Sequence, residues 1–87
     1  PFEVTRPSVA GTRVAVRLRG GKGGVRDELW IADLATGRTA RVTAVERSTA
    51  RLTDPSFGAG RLVWAKDELS SRGRLLRARV YSAAVRP

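Results

Sequence analysis

The sequence predicts an all-β protein built of two consecutive four-stranded antiparallel sheets, of which the second is incomplete. Three observations lead to this fold class: a hairpin pattern over residues 27–43, a repeat at an offset of 48 residues, and turns rich in glycine and proline between short apolar runs. Short strands separated by regular turn signals are typical of all-β architectures. Residues 44–54 carry too few regularly spaced apolar side chains to favour a helix, and we expect a connector there.

The stretch DELWIADLATGRTARVT, residues 27–43, predicts a β-hairpin with strands over 28–34 and 38–43. Gly37 suits the turn, since glycine adopts positive φ at no steric cost. The second strand is polar, as expected of an exposed edge. The first strand is apolar on both faces, with Leu29 and Ile31 on one and Trp30, Ala32 and Leu34 on the other. We therefore expect both of its faces to be covered.

An internal repeat aligns residues 7–16, PSVAGTRVAV, with residues 55–64, PSFGAGRLVW. Both segments begin with Pro-Ser and a large apolar residue, pass through a turn of small residues, and continue with Arg and three apolar residues. If two residues are dropped, the alignment extends from 28–34 to 74–80. Repetition at such a period is the signature of a repeat architecture.

The repeat predicts four strands in the first unit, at 7–10, 12–18, 28–34 and 38–43, and three in the second, at 55–58, 61–66 and 74–81. Pro7 and Pro55 are expected to begin strands, where the missing N–H is tolerated. The segment 20–24 is predicted to be a flexible loop, and 83–87 is too short for a fourth strand. The first unit with its connector then covers 1–54, and the partial second unit covers 55–87.

Residues 29–37, LWIADLATG, followed by Arg41-Val42-Thr43, resemble the WD40-like (PD40-type) repeat of TolB-like β-propellers. The resemblance implies four-stranded blades in a ring of about six, of which this chain would supply two. It also implies a non-enzymatic segment that serves as a binding or scaffold module for a protein or other ligand, and it favours a periplasmic or secreted location that the residues alone leave unknown. Ala10-Gly11-Thr12 and Gly58-Ala59-Gly60 replace the Ser-Pro-Asp-Gly turn of the family, which indicates a looser relative.

The net charge of +9 is a first indication of a nucleic-acid partner. The same composition, rich in Arg, Ala, Gly and Val, is also typical of proteins from GC-rich genomes. In a meander, one end of the sheets would carry Arg19, Lys22, Arg26, Arg47, Arg51, Arg72 and Arg74 against Asp27, Glu46, Asp54, Asp67 and Glu68, and the other end Arg13, Arg38 and Arg61. Because the positive charge is spread over both ends, a nucleic-acid partner is not favoured.

The chain contains no cysteine and no histidine. These absences exclude zinc sites built on Cys or His, and Ser-His-Asp or Cys-His catalysis, within the chain. We therefore predict no catalytic residue, no metal site and no cofactor, and the ligand-binding residues are unknown. No apolar run predicts a membrane span. The chain begins with Pro1 rather than Met, from which we expect a fragment of a longer protein.

Several motifs have an ordinary structural interpretation. Gly20–Gly24 lacks the spacing and the helix that a phosphate-binding loop requires. Neighbouring carboxylates on a strand point to opposite faces, so Asp27-Glu28 and Asp67-Glu68 cannot converge on one bond, and we expect solvated loop charges. Trp30 and Trp64 are predicted to be buried between blades rather than to stack on bases, and the role of Tyr81 is undetermined. The open apolar face of the first unit is expected to carry one of two sets, either Leu29 and Ile31 or Trp30 and Leu34.

Three hypotheses for the function follow from the residues and the resemblance. The first is the non-enzymatic propeller segment. The second is a propeller fragment of a larger peptidase or hydrolase, and the third is a basic module that binds nucleic acid. Because two units leave apolar faces open, we expect the chain to associate with further blades of a parent chain or with itself. A protein partner is possible under the first hypothesis.

Overall fold

The computed structural model describes residues 3–4, 6–20, 22 and 25–84. These residues form nine β-strands and no helix, which confirms the predicted all-β class. All of the pairings between strands are antiparallel. The strands are β1 Glu3–Val4, β2 Ser8–Ala10, β3 Arg13–Gly20, β4 Arg26–Asp33, β5 Thr39–Glu46, β6 Ala50–Leu52, β7 Ser56–Gly58, β8 Arg61–Leu69 and β9 Leu75–Ala84.

The first sheet contains β1 to β5 and is four strands wide. The short strands β1 and β2 lie one after the other along the same edge of β3. On its other side β3 pairs with β4, and β4 pairs with β5, which forms the outer edge. Leu29 pairs with Thr43 and Trp30 with Arg41, so a β-bulge in β5 leaves Val42 without a partner in the register.

The second sheet contains β6 to β9 and repeats this arrangement over a width of three strands. Here β6 and β7 follow one another along β8, and β9 pairs with the other side of β8. Within the described part of the chain nothing pairs with the outer side of β9. The second sheet is therefore incomplete, as the sequence predicts.

The two sheets repeat not only their order but also their register. The pairs 3–19, 4–18, 8–15, 9–14 and 10–13 of the first sheet recur as 51–67, 52–66, 56–63, 57–62 and 58–61 in the second. The predicted repeat of 7–16 in 55–64 is thus confirmed, and the structure extends it upstream to β1 and β6, which were not predicted from the sequence. The predicted alignment of 28–34 with 74–80 is wrong: Trp30 pairs with Val16, and its counterpart is Tyr81, which pairs with Trp64. The hairpin of β8 and β9 is longer than that of β3 and β4, so the residues of β9 that correspond to β4 lie later in the sequence than the alignment predicts.

The strand boundaries differ from the prediction at several places. Residues 44–54 are only in part a connector, because β5 extends to Glu46 and β6 occupies 50–52. Asp67 and Glu68 lie within β8 rather than in a loop, and Ala83 and Ala84 belong to β9. Pro7 and Pro55 each stand one residue before a strand. Gly21, Gly23, Gly24 and 85–87, on which the flexible loop and the C-terminal assignment partly depend, lie outside the described residues.

The hydrophobic core lies between the sheets. Its buried members are Ala15 and Leu29 from the first sheet and Leu52, Leu62 and Trp64 from the second. Trp64 is 9% exposed, which confirms its predicted place in the core. Tyr81, undetermined from the sequence, stacks on Trp64 with 5.9 Å between ring centroids. Stacked aromatic pairs of this kind add to the stabilisation from burial alone.

Four turns among the described residues contain positive φ angles, and two of them bear on the predicted hairpins. Gly37 has φ of 75°, as predicted for the turn between β4 and β5. The turn between β7 and β8 places Ala59 at φ 51° and Gly60 at φ 75°. Positive φ at both central residues is the pattern of a type I′ turn, which matches the twist of a hairpin. Ala59 is the only non-glycine residue with positive φ among the described residues.

Candidate functional site

A groove opens where the turns of the two inner hairpins lie side by side. It encloses about 340 Å³ and is lined by Val9, Ala10 and Arg13 of the first sheet and by Phe57, Gly58, Ala59 and Gly60 of the second. Val9 is 63% exposed. Apart from Arg13 the lining side chains are apolar. Concave, mostly apolar sites with a few polar groups are typical binding sites, so this groove is the best candidate for one.

Arg13 also borders a second groove, lined by Asp33, Thr36 and Arg38 among others. Arg13 and Asp33 are directly opposite each other on β3 and β4. The Asp33 carboxylate accepts hydrogen bonds from the N–H of Ala35 at 2.9 Å and from the hydroxyl of Thr12 at 3.1 Å. These bonds, that of Ala35 above all, hold the pKa of Asp33 below its ordinary value. The count of charges from sequence omitted this carboxylate, which reduces the positive excess at this end of the sheets.

The expectation that Asp27 and Glu28 are solvated loop charges is wrong. Both lie in β4, where Asp27 is 1% exposed and Glu28 is 3% exposed. The carboxylate of Glu28 accepts a hydrogen bond from the indole N–H of Trp30 at 2.8 Å and lies 2.9 Å from Nε of Arg26. Since Asp27 faces the second sheet and Glu28 the opposite side, the prediction that they do not converge is confirmed.

Side chains of the first sheet hold the main chain of Leu52 from both sides. The N–H of Leu52 donates to Oδ2 of Asp27 at 3.1 Å, and its carbonyl accepts a hydrogen bond from Nη1 of Arg17. Oδ1 of Asp54 lies 3.4 Å from Nε of Arg17, and Nε of Arg47 lies 3.6 Å from Oδ1 of Asp27. We call the four charged residues, Arg17, Asp27, Arg47 and Asp54, the inter-sheet clamp. Buried charges are tolerated when they are paired and hydrogen-bonded. The hydrogen bonds of Asp27 and Arg17 with the main chain of Leu52 hold β6 against the first sheet.

The second sheet does not cover Trp30, so of the two sets proposed for the open face of the first unit, the one with Trp30 lies there. Trp30 is half-buried and lies on the face of the first sheet that points away from the second. Its neighbours across the strands form an open apolar surface, which encloses a shallow groove of about 320 Å³. We call this surface the head face, and it consists of Val14, Val16, Leu18, Trp30 and Ala32.

Positive charge concentrates on the long hairpin of the second sheet. Glu68 forms ion pairs there with Arg77, with Arg79 at 3.9 Å and with Lys66 at 4.0 Å. The hydrogen bond from Arg77, with help from the other two cations, lowers the pKa of Glu68. Lys66 also lies 5.6 Å from the ring centroid of Tyr81. The cluster is therefore a partly neutralised patch rather than a run of unpaired cations.

The described residues contain no group of three or more His, Cys, Asp or Glu side chains that could hold a metal ion. In the same part of the chain no helix is long and apolar enough to span a membrane. Comparison with known proteins adds no assignment: no protein-family model matches the chain, and no curated protein or solved structure is similar enough to be matched with it.

Proposed function

We propose that this chain is a two-blade segment of a TolB-like or WD40-like β-propeller and serves as a non-enzymatic binding module for a protein ligand. The observation that carries the proposal is the repetition of one strand register in two sheets that pack face to face. Propellers repeat a four-stranded antiparallel unit around an axis. In the first sheet the width of four strands agrees with one such unit, and the second sheet lacks only its outer strand.

The groove between the inner turns supports binding as the function. Its apolar lining suits an aliphatic or aromatic side chain, and Arg13 at its border suits a carboxylate next to that side chain. A short peptide segment with a hydrophobic residue beside Asp or Glu combines both features. We therefore infer that the ligand is an exposed acidic-hydrophobic segment of another protein.

The experiment is a titration of the ¹⁵N-labelled chain with a panel of such peptides, followed by two-dimensional NMR. We expect saturable shifts confined to amides around Val9, Phe57 and Gly58. Val9→Ser removes an exposed apolar group from the groove and should weaken binding. Val80→Ser is the matched control, because Val80 is 75% exposed on the other sheet. Scattered shifts, or equal affinity in both variants, would contradict the proposal.

The same titration with single-stranded and duplex oligonucleotides tests the nucleic-acid alternative. A nucleic-acid module requires affinity that falls steeply as salt is raised. We expect no such saturable complex, since Glu68 already pairs with Arg77 and Arg79 on the basic hairpin. Tight, salt-sensitive binding would replace the proposed function with that of a nucleic-acid module.

A further inference from the structure

Each sheet has one apolar face that the other sheet does not cover. In the first sheet this is the head face. In the second it is a surface that we call the tail face, formed by Val63, Ala65, Ala78 and Val80, with Asp67 opposite Ala78 and Ser82 opposite Val63 on the same side of the sheet. Val63 is 36% exposed and Val80 is 75% exposed. Exposed apolar patches on a small chain mark sites of association.

The repeat makes these two faces complementary. Val63 and Ala65 of the tail face correspond to Ala15 and Arg17, which face the second sheet within the chain. Val80, opposite Ala65, corresponds to the core residue Leu29, opposite Arg17. The tail face is thus the repeat of the surface with which the first sheet contacts the second.

The head face corresponds in turn to the inner surface of the second sheet. Val14 and Val16 are the counterparts of Leu62 and Trp64, both buried against the first sheet. Trp30, opposite Val16, is the counterpart of Tyr81, opposite Trp64. The two surfaces that meet inside the chain are therefore both present a second time, one on each outer side.

We propose that a second copy of this chain docks its head face on the tail face, head to tail, and repeats the contact that joins the two sheets. The inference rests on the proposed function, in which both sheets are equivalent blades. The occupant is a second copy because the tail face matches the head face through the repeat and continues an interface already present in the chain. A contact between different surfaces of identical copies is heterologous and can close into a ring.

One polar contact can be carried over to the new interface. Within the chain the N–H of Phe57 donates to Oγ of Ser8 at 3.2 Å, between β7 and β2. The counterpart of Ser8 is Ser56, which is exposed, and the counterpart of Phe57 is Val9 of the next copy. The N–H of Val9 would then donate to Oγ of Ser56 in the neighbouring copy.

The inter-sheet clamp is not repeated. Arg17 corresponds to Ala65, and Asp27 corresponds to Ala78, so the two side chains that bind the main chain of Leu52 have no polar counterparts on the tail face. The contact between copies therefore lacks the clamp and is weaker than the contact within the chain. Because each copy carries a net charge of +9, added salt should strengthen association by screening repulsion.

Paired variants test the geometry. Val80→Glu disables the tail face, and Val16→Glu disables the head face. We expect the native chain to associate in a concentration-dependent manner, each variant alone to be a monomer, and an equimolar mixture to form a dimer and nothing larger. Light scattering after gel filtration measures the molar mass of the native chain, of each variant and of the mixture. Val80 is exposed, so its variant should fold, and Ala32→Glu replaces Val16→Glu if circular dichroism shows loss of structure.

Cross-linking gives an independent readout, since the native chain has no cysteine. Val9→Cys and Ser56→Cys chains should be joined by a short bismaleimide only when they are mixed. Cross-links within either variant alone would indicate contact between identical faces and overturn the proposal. A native chain that stays monomeric up to its solubility limit, at low and high salt, would overturn it as well.

Failure of this inference can be separated from failure of the proposed function. The groove at the inner turns contains neither Val80 nor Val16, so a monomeric Val80→Glu chain can be titrated with the same peptides. Peptide binding by a chain that never associates would overturn only the head-to-tail contact. Association without peptide binding would overturn only the binding role of the groove.

Discussion

Asp27 in β4 accepts a hydrogen bond at 3.1 Å from the N–H of Leu52 in β6, across the interface of the two sheets. Asp27 and Leu52 are each 1% exposed. The bond therefore joins a buried carboxylate to a buried main-chain donor, and neither group has access to water as a substitute. Since the carbonyl of Leu52 is bound by Arg17, this one peptide segment determines where β6 lies on the first sheet.

Asp27→Ala should lower the free energy of unfolding by about 3 kcal/mol, because it leaves the buried N–H of Leu52 without its acceptor and removes the ion pair with Arg47. Asp54→Ala is the matched control. The side chain of Asp54 is 44% exposed, and exposed ion pairs contribute less than about 1 kcal/mol. Urea denaturation of both variants measures the difference, and equal losses would show that the buried bond is not decisive.

Ala59→Asn should raise the free energy of unfolding by about 1 kcal/mol. Ala59 has φ of 51°, a conformation that costs an alanine roughly this much and that asparagine tolerates in type I′ turns. Gly60→Ala should have the opposite sign, because Gly60 has φ of 75°. Thermal unfolding of the two variants tests the turn assignment, which fails if both shift the midpoint in the same direction.

Trp64→Ala should destabilise the fold by about 3 to 5 kcal/mol, as expected for a large aromatic side chain removed from a core. Trp30→Ala should cost about half as much in the monomer, because Trp30 lies half-buried on the head face. Denaturation at a low protein concentration makes the comparison. Equal costs there would mean that the head face is covered within the single chain.

Asp33→Asn should change how stability depends on pH. The pKa of Asp33 is lowered in the folded protein, chiefly by the hydrogen bond from Ala35. The ionised carboxylate thus stabilises the fold above the unfolded-state pKa of about 3.9, and this contribution is lost as the pH falls through the lower folded-state pKa. The native chain should exceed the variant in urea midpoint at neutral pH. The gap should shrink below about pH 4, and a gap that widens in acid would contradict the assignment.

Much of the pairing could be predicted because it depends on residues close together in the sequence. Gly37 marks the turn of one hairpin, and the repeated Pro-Ser segments place two further hairpins in the same register. The short strand β6 was missed, since the alternation of Ala50, Arg51 and Leu52 is too short to identify a strand. A signal for it existed: Thr-x-Pro-Ser occurs at 5–8 and again at 53–56, which extends the repeat upstream toward Arg51 and Leu52.

The candidate groove could not be predicted from sequence. It requires Val9 and Phe57, which lie on different sheets, to come together at the same end of the molecule. The resemblance implies neighbouring blades but does not say which small residues line the space between their turns. The alignment of 28–34 with 74–80 is also wrong. The hairpin of β8 and β9 is longer, and its register shifts between Glu68 and Leu69, but no residue pattern near these positions predicts either feature.

The all-β class, the turns and the register of the repeated hairpins follow from the amino-acid sequence, because turn chemistry and alternation act between near neighbours along the chain. Tertiary packing determines which apolar face is covered. Leu29 lies at the interface while Trp30, the next residue, remains on an outer face. It also decided that Asp27 is buried, since Leu52 and Arg47 reach it from the connector. The physical reason is that burial depends on what packs over a residue, and the residues that do so are distant in sequence.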